Sequence, residues 1–217
     1  MNNAVTRWLN LTLLGMALSD PDCQAASTNI GDGPLIGVKQ VFPFIGVYTV
    51  GPLASNVLHN VTAWIWQNLA PSRYLGELKA FDAADQNELI RFAMSAAGQS
   101  NCLATVVLVG SATDRSVTNA VFVTNSVAVV YLMALGSAEA PPGDADSRWM
   151  RRVQKESLHA AGLALGLRPC VFPLCAMHPP QTEHELDTKA VNLCPPCQMK
   201  LERLLPQKGI PPDWRYQ

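Results

Sequence analysis

The sequence predicts a mixed α/β sandwich. Short β-branched apolar runs alternate with stretches of helical periodicity, and turn-forming Gly and Pro residues separate them. The 217 residues, 48% hydrophobic and 15% charged, suffice for one domain with a substantial core. The formal net charge of −1 provides none of the basic surface that nucleic acid or an anionic membrane requires, so neither partner is expected.

Several short runs have the composition of strands. The run 103–110 is almost wholly apolar and rich in β-branched residues, which is typical of a strand buried on both faces of a sheet. The other predicted strands are residues 35–41, 46–50, 73–81, 120–125 and 127–135.

Helical periodicity marks three further segments. Residues 55–70 place apolar side chains at helical spacing up to a proline, so one face of this helix should be buried. Residues 82–98 open with acidic residues and end in glycine, as a capped helix does. A short helix is predicted over 198–205.

A longer helix is predicted to begin after a cap at Asp146 or Ser147 and to run to about residue 165, with glycine as its C′ residue. Its arginines are expected to form a solvated face: Arg148, Arg151 and Arg152.

The first 34 residues differ in composition from the rest. Residues 8–18 form an interrupted apolar run after a lone arginine, loosely like a signal peptide but too short to span a bilayer. A short amphipathic helix that caps the domain is an equally good interpretation. Because residues 19–34 resemble a linker, we predict an N-terminal extension over 1–34 and one domain over 35–217.

Four of the six cysteines form two short pairs near the C-terminus. Cys170 and Cys175 are a Cys-x4-Cys pair, and Cys194 and Cys197 are a Cys-x2-Cys pair. Thiolates are soft ligands, and two such pairs suit one tetrahedral zinc ion, with free thiols and disulfides as alternatives. A closed four-thiolate site has no open coordination position, so the predicted zinc is structural.

The other two cysteines, Cys23 and Cys102, stand alone in the sequence. That pattern favours a reducing compartment over a disulfide framework. We therefore expect a cytoplasmic protein, with secretion as the alternative if residues 1–26 are a signal peptide.

From Arg152 to Cys170 the chain reads R-V-Q-K-E-S-L-H-A-A-G-L-A-L-G-L-R-P-C, and Met177 follows the second cysteine of the first pair. This order resembles the pattern of the archaemetzincins, a metzincin-type family of zinc peptidases. Their pattern is R-V-x-K-E-x-x-H-E-x-x-H-x-x-G-L-R-H-C-x4-C-x-M, followed by a loop and C-x-x-C. The resemblance implies a metzincin-like mixed sheet with flanking helices and a C-terminal loop region that binds zinc through four cysteines.

The chain departs from that pattern at the catalytic positions. In H-E-x-x-H the histidines and a third one after the Gly turn bind zinc, and the Glu activates the metal-bound water. Here the first histidine is His159, but Ala160 stands at the base position. Leu163 and Pro169 stand at the other ligand positions, and neither side chain offers a ligand atom. The resemblance therefore implies a degenerate peptidase motif.

A second register aligns Lys155, Glu156 and His159 with H-E-x-x-H and keeps the base and one histidine. It places Leu165 at the third ligand position and needs four extra residues before Cys170, so the first register is preferred. Neither register provides three ligands.

Three residues are candidates for a catalytic role in the vacated cleft: His159, Glu156 and His178. His178 follows the methionine that corresponds to the turn methionine beneath the zinc of metzincins. The alternative for His178 and His184 is a solvated loop histidine. For His159 it is a neutral, hydrogen-bonded, semi-buried side chain, and Glu156 and Lys155 are expected to be solvated or paired.

Three functions compete at this point. The leading prediction is a zinc-binding pseudoenzyme that binds or scaffolds a protein or peptide partner, because a peptidase cleft without its metal still offers a groove. The second is a repurposed enzyme that uses His159, Glu156, His178 and Asp114 for metal-independent chemistry on a small non-peptide substrate. The third is a residual zinc metallopeptidase with unusual ligands.

Overall fold

The computed structural model describes residues 42–78, 86–98, 102–110, 121–124, 126–135 and 148–216. These residues form an α/β fold around a five-stranded mixed sheet, which confirms the predicted fold class. The strands are β1 (Phe44–Val50), β2 (Ser72–Glu77), β3 (Cys102–Val109), β4 (Val121–Thr124) and β5 (Val127–Tyr131).

The sheet has the strand order β2-β1-β3-β5-β4. The first four strands in this order are parallel, and β4 pairs antiparallel with β5 at the edge. The central strand β3 is buried on both faces, as its composition predicted. Val106 and Leu108 point into the larger core, and Val107 and Val109 point into the smaller one.

Helices cover both faces of this sheet. The described helices are α1 (Ser55–Asn68), α2 (Gln86–Gly98), α3 (Arg148–Leu165), α4 (Glu183–Thr188) and α5 (Pro195–Gln207). Residues of α1, α3 and α5 share the larger core, whereas α2 packs on the opposite face. The helix that carries His159, α3, therefore lies directly on the sheet.

Beyond shifts of one or two residues at strand ends, four elements differ from the sequence prediction. The strand predicted over 73–81 ends at Glu77. The strand predicted over 127–135 ends at Tyr131 and continues as a 3-10 helix, Leu132–Leu135. The last helix begins at Pro195 rather than at residue 198, because prolines are well tolerated in the first turn of a helix. Helix α4 was missed, although Thr182 caps it by accepting a hydrogen bond from the backbone N–H of Glu185.

Several predictions lie outside the described residues: the N-terminal extension 1–34, the strand 35–41, Cys23, the caps Asp146 and Ser147, and Asp114. None of the helices in the described part of the chain combines the length and apolar character needed to cross a membrane.

Candidate metal centre and the adjoining helix

The cysteines of the two predicted pairs come together in space. The four Sγ atoms lie within 4.8 Å of one another, and those of Cys170 and Cys194 are 3.7 Å apart. A tetrahedral ion with Zn–S bonds of about 2.3 Å needs sulfurs about 3.8 Å apart. A disulfide needs about 2.05 Å. The spacing therefore suits a metal centre, and the donor set fits the zinc that the sequence predicts.

Local backbone geometry places each pair. In the first, the Sγ of Cys175 accepts hydrogen bonds from the backbone N–H groups of Met177 and Cys194, at 3.4 and 3.3 Å. In the second, Cys194 is the N-cap of α5, and Cys197 lies in its first turn after two prolines. Backbone N–H groups and the positive end of a helix both favour thiolates, so the surroundings support metal-bound sulfur.

Without a cation two of the clustered thiols, those of Cys175 and Cys197, resist ionisation. Burial raises the pKa of Cys175, and burial together with hydrogen bonds among the neighbouring thiols raises the pKa of Cys197. A divalent cation would offset this cost, because it stabilises all four thiolates at once.

The single histidine of the motif, His159, is buried in α3. Its Nδ1 lies 3.3 Å from the carbonyl oxygen of Ala176, which fixes Nδ1 as the donor. Burial, together with the charge of Lys189, lowers the pKa of His159 to about 3, so the imidazole is neutral. This agrees with the interpretation of His159 as a neutral, hydrogen-bonded side chain.

The residues at the three positions that depart from the archaemetzincin pattern differ in exposure. Ala160 is fully buried in the larger core, Leu163 is half-buried, and Pro169 is exposed beyond the turn at Gly166, whose φ is 114°. Within the described residues, the four-cysteine set is the sole group of three or more metal-ligating side chains close enough to share an ion.

Glu156 and Lys155, which were expected to be solvated or paired, are both buried. The Oε1 of Glu156 lies 2.6 Å from the Nζ of Lys189, and the pairing part of the prediction therefore holds for Glu156. Burial raises the pKa of Glu156, while the attraction of Lys189 opposes that shift. Lys155 donates to the carbonyl oxygens of Leu186 and Asp187.

Arg152 is also buried, which corrects its assignment to a solvated face; Arg148 and Arg151 are exposed as predicted. The Arg152 guanidinium donates two hydrogen bonds of 2.7 Å to the carboxylate of Asp187 and one of 2.9 Å to the carbonyl oxygen of Leu135. The reason is that the segment around α4 packs over this part of α3.

His178 is half-buried, and its Nδ1 is 3.0 Å from the carbonyl oxygen of Cys170. Its own carbonyl oxygen accepts a hydrogen bond from Lys189. The solvated alternative thus fails for His178 but holds for His184, which is exposed. Among the described residues no hydrogen bond joins the side chains of His159, Glu156 and His178 to one another, and their catalytic role stays a prediction.

Sequence reasoning missed three residues of α4 and its C-terminal end that contact α3: Glu183, Asp187 and Lys189. A signal existed, because Arg152, Lys155, Glu156 and His159 recur at i, i+3, i+4 and i+7 and so share one helix face. A polar row next to the apolar positions of a helix can face either solvent or a polar partner segment, so the row alone does not distinguish the two.

The depressed pKa of His159 predicts acid-labile stability. A histidine with an ordinary pKa of 6.5 when unfolded and about 3 when folded stabilises the fold fully above pH 6.5. That contribution to the free energy of unfolding is lost as the pH falls from 6.5 towards 3, at about 1.4 kcal/mol per pH unit.

We expect His159→Gln to flatten this part of the stability profile. Denaturant unfolding with a metal chelator present throughout measures the effect without interference from metal release. A variant whose profile between pH 6.5 and 3 matches that of the wild type would contradict the assignment of the slope to His159.

Sequence comparison identifies proteins that are similar to part of this chain. Residues 118–203 match Peptidase family M54. A curated archaemetzincin from Natronomonas pharaonis is 38% identical over 66 residues, which cover 30% of this chain and 36% of that protein.

Solved structures extend the likeness in fold. The archaemetzincin of Methanopyrus kandleri superimposes with a TM-score of 0.60 at 15% identity, over 77% of this chain and 98% of that one. A zinc-dependent peptidase from Methanocorpusculum labreanum gives 0.55 at 19% identity, over 72% and 99%. The archaemetzincin of Archaeoglobus fulgidus, complexed with malonate, gives 0.52 at 21% identity, also over 72% and 99%. In its fold, and in the sequence of its C-terminal half, the chain is archaemetzincin-like.

Proposed function

We propose that the chain is a zinc-binding pseudo-peptidase that has lost the catalytic zinc site and acts by binding a protein or peptide partner. The observation that carries this proposal is the set of residues at the motif positions. His159 is followed by Ala160 and Leu163 on α3 and by Pro169 beyond the end of that helix, and none of these three offers a side-chain ligand or a base.

The four cysteines would hold the zinc, and that ion would supply structure rather than chemistry. A site closed by four thiolates leaves no position for a water molecule to be activated. Such a centre is most easily maintained in a reducing compartment, which supports the cytoplasm as its location.

The alternative of a repurposed enzyme finds less support. A general acid or base must reach the substrate with a group that can exchange a proton near the working pH. His159 is buried, neutral and bonded to a carbonyl oxygen, and the Glu156 carboxylate is held by Lys189. Both groups are already engaged in internal contacts.

Metal content tests the proposal. Purified protein is expected to contain one zinc per chain, because the described part of the chain brings together one group of ligating side chains. Cys194→Ser should lose this zinc, whereas His159→Gln should keep it. A second zinc that disappears in His159→Gln, together with chelator-sensitive cleavage of peptides, would overturn the proposal.

The binding role needs a separate test. Selection of a random displayed peptide library on the zinc-loaded protein should enrich a common sequence that binds without being cleaved, as mass spectrometry of the recovered peptide would verify. Absence of any enriched sequence would count against a peptide-binding role and leave the metal assignment unaffected.

A further inference from the structure

The segment between the two cysteine pairs is fastened to α3 by buried polar side chains. Four residues of α3 form this contact, and we call them the polar face of α3: Arg152, Lys155, Glu156 and His159. They are only 6, 6, 3 and 4% exposed, respectively. Buried charges are costly unless they are paired and hydrogen-bonded, so this face must be matched closely by the segment that covers it.

Each residue of the polar face has a partner in that segment. Arg152 bonds the Asp187 carboxylate twice at 2.7 Å, and Lys155 donates to the carbonyl oxygens of Leu186 and Asp187 at 2.9 and 2.7 Å. Glu156 pairs with Lys189 at 2.6 Å, and His159 contacts the carbonyl oxygen of Ala176 at 3.3 Å. None of these contacts involves a cysteine sulfur.

Lys189 links α3 to the segment between the two cysteine pairs. Its side chain is fully buried, and its Nζ donates both to Glu156 and to the carbonyl oxygen of His178, at 3.0 Å. His178 follows the first cysteine pair closely, and Lys189 shortly precedes the second. The ammonium group of Lys189 therefore links α3 to the residues that follow the first cysteine pair and to those that precede the second.

Backbone hydrogen bonds reinforce this arrangement. The N–H of Ala176 donates to the carbonyl oxygen of Asn192 at 2.9 Å, and that of Ala190 donates to the carbonyl oxygen of Leu174 at 3.1 Å. The two ends of the segment are thus held side by side by bonds that need no metal.

We propose that the buried Glu156–Lys189 ion pair preorganises the metal centre by folding the segment between the cysteine pairs independently of the metal. Glu156 and Lys189 are positioning residues, not ligands. Zinc then enters a site whose second cysteine pair is already in place, so little binding free energy is spent on ordering the loop. This inference rests on the zinc-binding part of the proposed function.

Hydrogen exchange on the wild-type protein provides the first test. After zinc is removed with a chelator, the amides of Ala176, Lys189 and Ala190 should stay protected, since their acceptors are backbone carbonyls within the folded segment. Exchange of these amides at the rate of an unfolded chain in the metal-free protein would overturn the proposal, because the metal would then be what holds the segment.

Zinc affinity provides the second test. Lys189→Met should weaken zinc binding by about 10–100-fold, the range found when partners that orient metal ligands are removed, and should also expose the amides named above. The affinity is measured by competition with a chromophoric chelator. The matched control is Lys208→Met, a half-buried lysine at the far end of α5, which should bind zinc as the wild type does.

The single variant leaves the Glu156 carboxylate buried without its cation, and a failure to fold would obscure the result. The double variant Glu156→Met/Lys189→Met removes both charges and retains their bulk. It should fold and still bind zinc more weakly than the wild type, because no ammonium reaches the His178 carbonyl oxygen. Zinc affinity equal to that of the wild type in the folded double variant would overturn the proposal.

These readouts are separate from those for the proposed function. A second zinc or peptide cleavage would defeat the pseudo-peptidase proposal without changing the amide protection of the metal-free segment. Conversely, loss of that protection would defeat the preorganisation proposal and leave the number of bound zinc ions unchanged.

Discussion

Replacing Cys197 with serine is expected to release the zinc and to lower the free energy of unfolding by several kcal/mol. Structural zinc contributes on the order of 10 kcal/mol to the folding of the segment that it binds, and hydroxyl oxygen is a poor substitute for thiolate. Cys197 is buried in the first turn of α5, so loss of the zinc should destabilise the start of that helix and the region of the first cysteine pair.

Denaturant unfolding of the wild type and the variant, each with excess zinc and with chelator, measures the effect. The two proteins should differ strongly in zinc and converge in chelator, because only the wild type has a metal centre to lose. Cys102→Ser is the matched control, since Cys102 lies on β3 outside the four-cysteine set, and it should respond to chelator as the wild type does. A wild-type protein whose free energy of unfolding is the same with zinc and with chelator would contradict the prediction.

Introducing two histidines should create a second metal site. In Leu163→His/Pro169→His, the new side chains join His159, with the first pair four residues apart on one helix face and the third residue beyond the turn at Gly166. His159 is neutral, as a zinc ligand must be. We expect two zinc ions per chain and no peptide hydrolysis, because position 160 still lacks a base.

Elemental analysis of this double variant after dialysis tests the expectation. Leu163→His alone provides two ligands and should retain one tightly bound zinc, and adding His159→Gln to the double variant should remove the second ion again. A double variant that binds a single zinc would contradict the alignment of His159 with the first position of the motif.

The sequence alone predicted the described strands, the long helices and the clustering of four cysteines. The β-branched run of β3 and the periodicity of α1 are local signals, and short Cys spacings restrict the sulfurs before any fold is known. Helix α4 escaped notice because six residues carry little periodicity and a short helix depends on tertiary contacts.

The burial of Arg152 and Glu156 could not be derived from local sequence. Arg152 pairs with a residue 35 positions away, and Glu156 pairs with one 33 positions away. Whether a charged side chain on a helix faces solvent or a partner depends on which segment crosses it, and propensity contains no information about that crossing. The polar row at i, i+3, i+4 and i+7 could be recognised in the sequence, but the segment that packs over it could not.

The polar face of α3 has a consequence for how such a protein changes over time. His159 belongs both to the polar face that fastens the C-terminal segment and to the motif positions, but Arg152, Lys155 and Glu156 are different residues from Ala160, Leu163 and Pro169. Substitution at Leu163 or Pro169 leaves the Arg152 and Glu156 contacts untouched. Architecture and reactivity are therefore separable here, and selection can relax on one while it preserves the other.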